Sequence, residues 1–163
     1  MAETRFRFLD NVAIADTAFE AFGKNENELF ENAATALFEE MVDTKKVASK
    51  VNKKIRLRNE NLENLLYDFL SELIYVKDVR GMVFGKFKVK ISKQLSKKIK
   101  KGGSEKVKKE VYVLNADCSG EKIDYSKSGS GKEFRNDVKA VTMHLFKIEK
   151  AGKNMKATVV LDI

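Results

Sequence analysis

Three oxygen-bearing groups near the two ends of the chain are the best candidates for chemistry: Asp16, Asp162 and the α-carboxylate of Ile163. Asp16 lies among small apolar residues of a predicted early strand, where an aspartate is rare and costly to bury without a partner. The predicted final strand, 155–163, stays apolar to its last residue, so we expect it to pack into a sheet although chain ends usually fray. Two carboxylates one residue apart repel each other unless a cation or a proton lies between them.

A metal ion held at these groups would have to be a hard one. The sequence has one His and one Cys, so the ligands must be mostly oxygen atoms, which favour Mg, Ca or Mn over Zn or Cu. The alternative is that Lys, Arg or backbone N–H groups satisfy the acids, as they usually do for buried carboxylates. Lys139 is the competing partner. The pattern alone leaves both interpretations open.

His144 and Cys118 are not predicted to be catalytic. The sequence around them lacks the glycine-flanked elbow that presents a nucleophile. His144 is expected in a strand, on one face with Thr142 and Phe146. Cys118 follows Asp117, and neighbouring negative charge raises the pKa of a thiol, so we do not expect a reactive thiolate.

The basic residues are concentrated in one stretch. Between Lys93 and Lys109 there are eight lysines and one acid, whereas the whole chain carries a net charge of +8. Lysine acts as a hydrated point charge, so this stretch suggests sequence-independent attraction to phosphates; the candidate contacts are Lys97, Lys98, Lys100 and Lys101. The alternative is a solvated hairpin tip that aids solubility. The glycines at 126–132 do not have phosphate-loop spacing.

Length and composition indicate one soluble domain over 1–163. At 163 residues and 43% hydrophobic the chain can bury a single core. It contains no apolar run long enough to cross a membrane and no N-terminal secretory signal. A single cysteine forms no disulfide within the chain, so we expect a reducing compartment.

Hydrophobic periodicity predicts two amphipathic helices and several strands. The helices cover 26–42, with Asn25 and Glu28 spaced as a capping box, and 62–77, with Asn61 as N-cap. The predicted strands are 4–9, 12–22, 51–58, 86–91, a return strand from Val111, 138–149 and 155–163. We therefore expect an α+β fold in which two helices pack on a mainly antiparallel sheet.

Several segments, in this order, resemble the archease family: Phe8–Asp10 with Ala15-Asp16, Glu28–Ala34, Asn61–Leu73, Gly120-Glu121, Val138–His144 and Leu161–Ile163. The resemblance covers nearly the whole chain. The chain lacks the histidine of the family's opening motif, so no role is carried over to Asp10. The stretch Lys93–Lys109 is longer and more basic than in the family, so the resemblance assigns it no role either.

The resemblance implies a non-enzymatic, cytoplasmic accessory factor for RNA processing. Archeases promote the guanylylation and turnover of the GTP-dependent RNA ligase of tRNA splicing and RNA repair, and some are linked to tRNA cytosine methylation. The implied partners are this RNA ligase and, further, tRNA or a tRNA methyltransferase. The family's divalent cation, commonly calcium, with magnesium or manganese as alternatives, would be held by Asp16, Asp162 and Ile163, with Lys139 and His144 as neighbours.

Two other functions compete with this interpretation. A direct RNA-binding module acting through the hairpin at about 93–109 is the first, although Phe87 and Tyr112 flank the loop without forming a stacking platform. A chaperone-like modulator of a tRNA methyltransferase is the second. A metal-dependent hydrolase ranks last, because it lacks a positioned general base beyond His144.

Overall fold

The computed structural model describes residues 3–10, 16–99, 102–103, 106–123 and 134–163. The elements in chain order are β1 (Phe6–Leu9), β2 (Asp16–Gly23), α1 (Glu26–Met41), a 3₁₀ turn (Thr44–Lys46), β3 (Val51–Asn59), α2 (Leu62–Arg80), β4 (Met82–Ile99), β5 (Lys106–Lys122), β6 (Ala140–Ala151) and β7 (Asn154–Asp162). The predicted connection 126–132 and residues 12–15 of the predicted second strand lie outside the described residues.

Both helices begin where the sequence predicts. The side chain of Asn25 accepts a hydrogen bond from the backbone N–H of Glu28 at 2.9 Å, and that of Asn61 accepts one from Asn64 at 3.1 Å. Such caps satisfy N–H groups that have no partner within the helix. The second helix runs three residues past the predicted end, to Arg80, and stops at Gly81, whose φ of +62° is the left-handed cap that favours glycine.

The strands form two antiparallel sheets instead of the one that was predicted. The first sheet has the order β1-β2-β7-β6 and the second has the order β3-β5-β4. Both helices contact strands of both sheets. The α+β class with two helices on antiparallel strands is therefore confirmed, and the division into two sheets is the addition.

The hydrophobic core lies between the helices and the inner faces of the two sheets. Phe30 of α1 stacks on Phe69 of α2 with ring centroids 6.2 Å apart, and Phe38 meets Phe84 of β4 edge to face at 5.6 Å. All four rings are fully buried, and each contributes about 1.5–3 kcal/mol to stability through burial. The core thereby holds the two sheets and the two helices together.

The fourth and sixth strands each contain a local irregularity and differ from their predicted extents. The fourth begins at Met82 instead of 86 and is interrupted by a bulge at Gly85. A Cβ on Gly85 would lie 2.5 Å from the carbonyl oxygen of Thr44, so glycine is needed where the 3₁₀ turn crosses this strand. The sixth begins at Ala140, and its residues 143–146 leave the ladder with β7.

The helices give no indication of a membrane span. Among the described residues, neither helix is long and apolar enough to cross a bilayer.

Candidate metal centre

The register of the first sheet brings the two predicted aspartates together. Asp16, the first residue of β2, lies directly opposite Asp162, the last residue of β7. Directly opposite residues of an antiparallel pair point to the same face, with Cβ atoms about 4.5–5.5 Å apart. The two carboxylates, 146 positions apart in the sequence, are thus immediate neighbours, and both side chains are half-buried.

The end of β7 is held in place on both sides. Ala140 of β6 pairs with Asp162 across from Asp16, and the backbone N–H of Lys139 donates a hydrogen bond to the carbonyl oxygen of Asp162 at 2.8 Å. Leu161 is fully buried, and Ile163 packs against the core. The expectation that this apolar end is packed into a sheet is confirmed.

The aspartate pair has no basic partner among the described residues. Neither carboxylate makes an ion pair or a side-chain hydrogen bond within that part of the chain, and Lys139 contributes only its backbone N–H. No ion pair within 4.0 Å among the described residues supports the alternative in which Lys139 neutralises the acids. Like charges placed directly opposite each other destabilise a sheet, so the pair has an energetic reason to bind a cation.

Glu20, another carboxylate on the same face, is paired with basic side chains on both sides. Glu20 of β2 is 8% exposed, and it pairs with Arg7 of β1 at 3.1 Å and with Lys156 of β7 at 3.3 Å. Glu149 of β6 extends this alternation, because it pairs with Lys156 at 3.2 Å. The face is therefore built to satisfy acids with bases, and the aspartate pair at its end departs from that rule.

The segment that leads into β6 is anchored to α2 by a buried lysine. Lys77 is 5% exposed, and its Nζ lies 2.6 Å from Asp137, 2.8 Å from Asp78 and 2.9 Å from the carbonyl oxygen of Val138. Burial alone would lower the pKa of Lys77, but the hydrogen bonds to Asp137 and Asp78 outweigh it and hold the pKa above its usual value. This anchor fixes the chain just before the residues that flank Asp162.

A second anchor ties the same segment to α1. Arg135 Nη1 donates to the Glu39 carboxylate at 3.1 Å, and Asn136 Nδ2 donates to Glu40 at 2.6 Å. Burial would raise the pKa of Glu39, but hydrogen bonds from the side chain and backbone of Thr44 and from Arg135 lower it below its ordinary value. The Glu39 carboxylate is thus kept ionised as part of the scaffold.

His144 does not occupy the regular strand position that its sequence predicts. Thr142 pairs with Val160, the next paired residue is Lys147 with Thr158, and residues 143–146 form a bulge of β6 between them. Leu145 in this bulge has φ of +55°, and His144 is exposed. The predicted common face of His144 with Thr142 and Phe146 is therefore wrong, because alternation fails inside the irregularity.

A buried hydroxyl that sequence reasoning missed lies beside the aspartate pair. Thr142 points to the same face as Asp162, two paired positions further along the sheet, and its Oγ1 is buried without a hydrogen-bond partner among the described residues. Buried polar atoms are nearly always satisfied. A strand threonine is common, so only the three-dimensional register could have identified this one.

The oxygen donors present suit a hard cation. No cluster of three or more His, Cys, Asp or Glu side chains occurs in the described part of the chain, so two aspartates need a further oxygen donor. The carboxylate of Ile163, next to Asp162, is the nearest candidate along the chain. Ca²⁺ accepts six to eight oxygen ligands in flexible geometry, and water commonly completes its shell. The residues therefore fit calcium better than a metal that requires nitrogen or sulfur ligands.

The predicted phosphate contacts of the hairpin are only partly described. Lys97 of β4 lies directly opposite Lys108 of β5, and both are exposed. Lys100 and Lys101 lie outside the described residues, as does the side chain of Lys98. Their contact with phosphates stays a prediction.

The single cysteine is unreactive, as predicted, and its burial contributes more to this than the neighbouring charge of Asp117 does. Burial first, and the charge of Asp117 second, raise the pKa of the Cys118 thiol to about 12. The side chain is fully buried, so no thiolate is available near neutral pH.

Fold and site together define a small α+β protein whose unusual polar feature is an acidic strand end. The model of the Archease protein family (MTH1598/TM1083) matches residues 6–163. The chain therefore belongs to the Archease protein family.

Individual relatives agree with this membership. Protein archease of Methanosarcina barkeri is 36% identical over 159 residues, which cover 98% of this chain and 96% of that protein. Protein archease of Pyrococcus furiosus is 39% identical over 136 residues, which cover 83% of each.

Two solved structures have the same fold. The solution structure of Methanobacterium thermoautotrophicum protein 1598 superposes with a TM-score of 0.68 at 30% identity, covering 98% of this chain and 99% of that one. The Thermotoga maritima archease, whose structure is titled a possible chaperone, has a TM-score of 0.56 at 22% identity, covering 93% of each chain. The second likeness supports the fold alone.

Proposed function

We propose that this protein is an accessory factor that activates a GTP-dependent RNA ligase in tRNA splicing and RNA repair, by promoting guanylylation and turnover of the ligase. Membership of the Archease family supports this proposal. The observation that carries it is the register that places Asp16 opposite Asp162 with no basic partner among the described residues. Two facing carboxylates without such a partner lower the stability of this chain, so we infer that they act on another molecule.

The working end of the protein would be the acidic tip formed by Asp16, Asp162 and the carboxylate of Ile163. These groups would hold a divalent cation, calcium by preference, with magnesium or manganese as alternatives. A bound cation supplies positive charge that can orient phosphate oxygens or carboxylates of a partner.

The rest of the fold would position that tip. Packing of Leu161 and Ile163 fixes the end of β7, and the backbone N–H of Lys139 holds the carbonyl oxygen of Asp162. A tip on paired strands keeps a fixed geometry when it approaches the ligase active site, and functional groups on strands are held more accurately than groups on free loops.

A ligase turnover assay tests the proposal. The purified RNA ligase, GTP and a cleaved RNA substrate are assayed under multiple turnover, with and without this protein. Wild type should raise the turnover number. Asp162→Asn and Asp16→Asn should each leave the ligase within about threefold of its unassisted rate, because loss of one oxygen ligand typically weakens metal binding at least about 10–100-fold.

The control variant makes the same change in charge at a residue outside the acidic tip. Glu72→Gln on α2 removes one negative charge from a half-buried side chain that is not part of the tip, and it should stimulate the ligase like wild type. If the aspartate variants stimulate as well as Glu72→Gln does, the acidic tip does not act on the ligase.

A further inference from the structure

The outer face of the second sheet carries an array of cations that counting along the sequence does not show. On β3 the residues Lys54, Arg56 and Arg58 point to this face, and on β4 the face carries Lys86, Lys88 and Lys90; all six are exposed. We call these six side chains the cationic face. None of them belongs to the stretch 93–109.

The pairing of both strands with β5 sets the geometry of the cationic face. Lys54 and Lys88 are both paired with Asp117, and Arg56 and Lys90 are both paired with Asn115. Neighbouring strands are about 4.8 Å apart and alternate residues about 6.8 Å apart. The face is therefore two parallel rows of three charges, about 10 Å apart and about 14 Å long.

The positive charge of this face is almost uncompensated. Asp117 is the one carboxylate on the central strand between the rows. None of the six cations makes an ion pair within 4.0 Å with any residue in the described part of the chain. By contrast, Lys147, Lys156 and Arg7 of the first sheet are paired with acids. The six cations of the cationic face thus lack the acidic partners that these three residues of the first sheet have.

We propose that the cationic face binds the phosphodiester backbone of RNA without regard to sequence. Rows of point charges match a chain of phosphates, and lysine and arginine contacts to phosphates position a nucleic acid without reading its bases. A groove of about 440 Å³ on this face is lined by Phe87 and by polar or charged residues that include Asn52, Lys86 and Ser119. It has room for a phosphate and its sugar next to the cations.

A protein partner fits this surface less well. Protein interfaces have an apolar, aromatic core and are depleted of lysine. Here the central strand β5 carries Asn115, Asp117 and Ser119 and, opposite Arg58, the buried Val113. The ring of Phe87 packs inward against Phe38 and Phe84. The absence of an aromatic platform on the outward positions of these strands also explains why the recognition would be independent of sequence.

Binding is measured with a fluorescein-labelled, mixed-sequence RNA of about 20 nucleotides, titrated with the full chain at several salt concentrations. Each phosphate contact on a single strand contributes about −0.7 to the slope of log K against log[salt]. Six contacts predict a slope of about −4 and a loss of about 300-fold in affinity between about 50 and 200 mM salt. The triple variant Lys86→Gln, Lys88→Gln, Lys90→Gln should show a slope of about −2 and a loss of about 20-fold.

Three matched variants separate location from net charge. Lys24→Gln, Lys150→Gln, Lys153→Gln makes the same change in charge at the far end of the first sheet, and it should keep the wild-type slope. Replacement of the same three β4 lysines by arginine should keep it as well.

The third variant tests the hairpin. Replacing Lys93, Lys97 and Lys108 by Gln should change the slope less than the β4 triple variant does.

Several results would overturn the proposal. An unchanged slope for the β4 triple variant, an equal loss in the first-sheet control, or a loss confined to the hairpin variant would each assign binding elsewhere or to net charge alone. Binding to vesicles of anionic lipid without binding to RNA would assign the face to a membrane surface instead. The proposal does not depend on ligase activation, because its variants leave Asp16 and Asp162 intact.

Discussion

Replacing Asp162 by Asn should have opposite effects on stability with and without a divalent cation. In the absence of a cation, the substitution removes the repulsion between two carboxylates that face each other on neighbouring strands. In the presence of calcium, it should remove one ligand of the proposed cation site. A merely structural aspartate would produce neither the sign change nor its dependence on calcium.

The size of the effect follows from the geometry of the pair. Two unit charges about 5 Å apart repel by about 0.8 kcal/mol in water and about 3.3 kcal/mol at an effective dielectric constant of about 20. Both side chains are half-buried, so about 2 kcal/mol is an intermediate value. In a chain of 163 residues this corresponds to a rise in Tm of about 4–8 °C for Asp162→Asn in EDTA.

Calcium should reverse the order of the two proteins. A ligand at about 100 times its Kd stabilises the folded state by about 2.7 kcal/mol, or roughly 5–11 °C in Tm. Wild type should gain this and Asp162→Asn should not. The assay is differential scanning calorimetry at about pH 8, where free carboxyl groups are ionised, in EDTA and in millimolar calcium. Asp16→Asn should behave like Asp162→Asn, and Glu72→Gln should behave like wild type.

Two outcomes would refute this reasoning. A fall in Tm for Asp162→Asn in EDTA would mean that the carboxylate is stabilised by a partner within the protein. An equal rise in Tm with calcium for wild type and for the variant would mean that the ion binds elsewhere.

Three further predictions concern the scaffold around the tip. Lys77→Met should lower the free energy of unfolding by about 1–3 kcal/mol in urea denaturation, because Val138 loses its hydrogen bond while the exposed Asp137 rehydrates; an unchanged midpoint would contradict the anchor. Glu39 has a lowered pKa, so its stabilisation is complete above the unfolded value of about 4.5 and is lost as pH falls through the folded value; the drop in stability on acidification should therefore be smaller in Glu39→Gln than in wild type, and identical pH profiles would refute this. Leu145→Gly should raise stability by about 0.5–1 kcal/mol in the same urea assay, because Leu145 has φ of +55° and is 63% exposed; a loss would show that its side chain makes a contact that matters.

Local features of the fold could be predicted from the sequence with good accuracy. Both N-caps are confirmed because a cap depends on residues three positions apart, as with Asn25 and Glu28. The end of α2 was predicted too early, since the sequence pattern alone did not identify Gly81 as the left-handed cap. The bulge at Gly85 hid the start of β4, because it breaks the two-residue alternation.

The residues of the acidic tip could be predicted from residue types, but their arrangement in space could not. An aspartate in an apolar strand and an apolar chain end are both visible in the sequence. The sequence does not show the register that pairs Asp16 with Asp162, because it is long-range, or the bulge of β6 that contains His144, because it breaks the alternation. A one-residue slip would have placed the two carboxylates on opposite faces.

The cationic face could not be found by counting charges along the sequence, because its residues come from two separate strands. A window over Lys93–Lys109 finds most of the net charge, whereas Lys54 and Lys88 are 34 positions apart and become neighbours only because both strands pair with β5. Neither β3 nor β4 contains an acid, and the acids that cancel this charge in a count over the whole chain lie in other segments.

The most direct test of the central claim is a crystal structure of the protein grown with calcium, with the ion located by its anomalous signal. We predict one ion at the end of the first sheet, about 2.3–2.6 Å from oxygen atoms of Asp16, Asp162 and the Ile163 carboxylate. An ion bound elsewhere, or the two aspartates turned away from each other with none between them at saturating calcium, would contradict the claim.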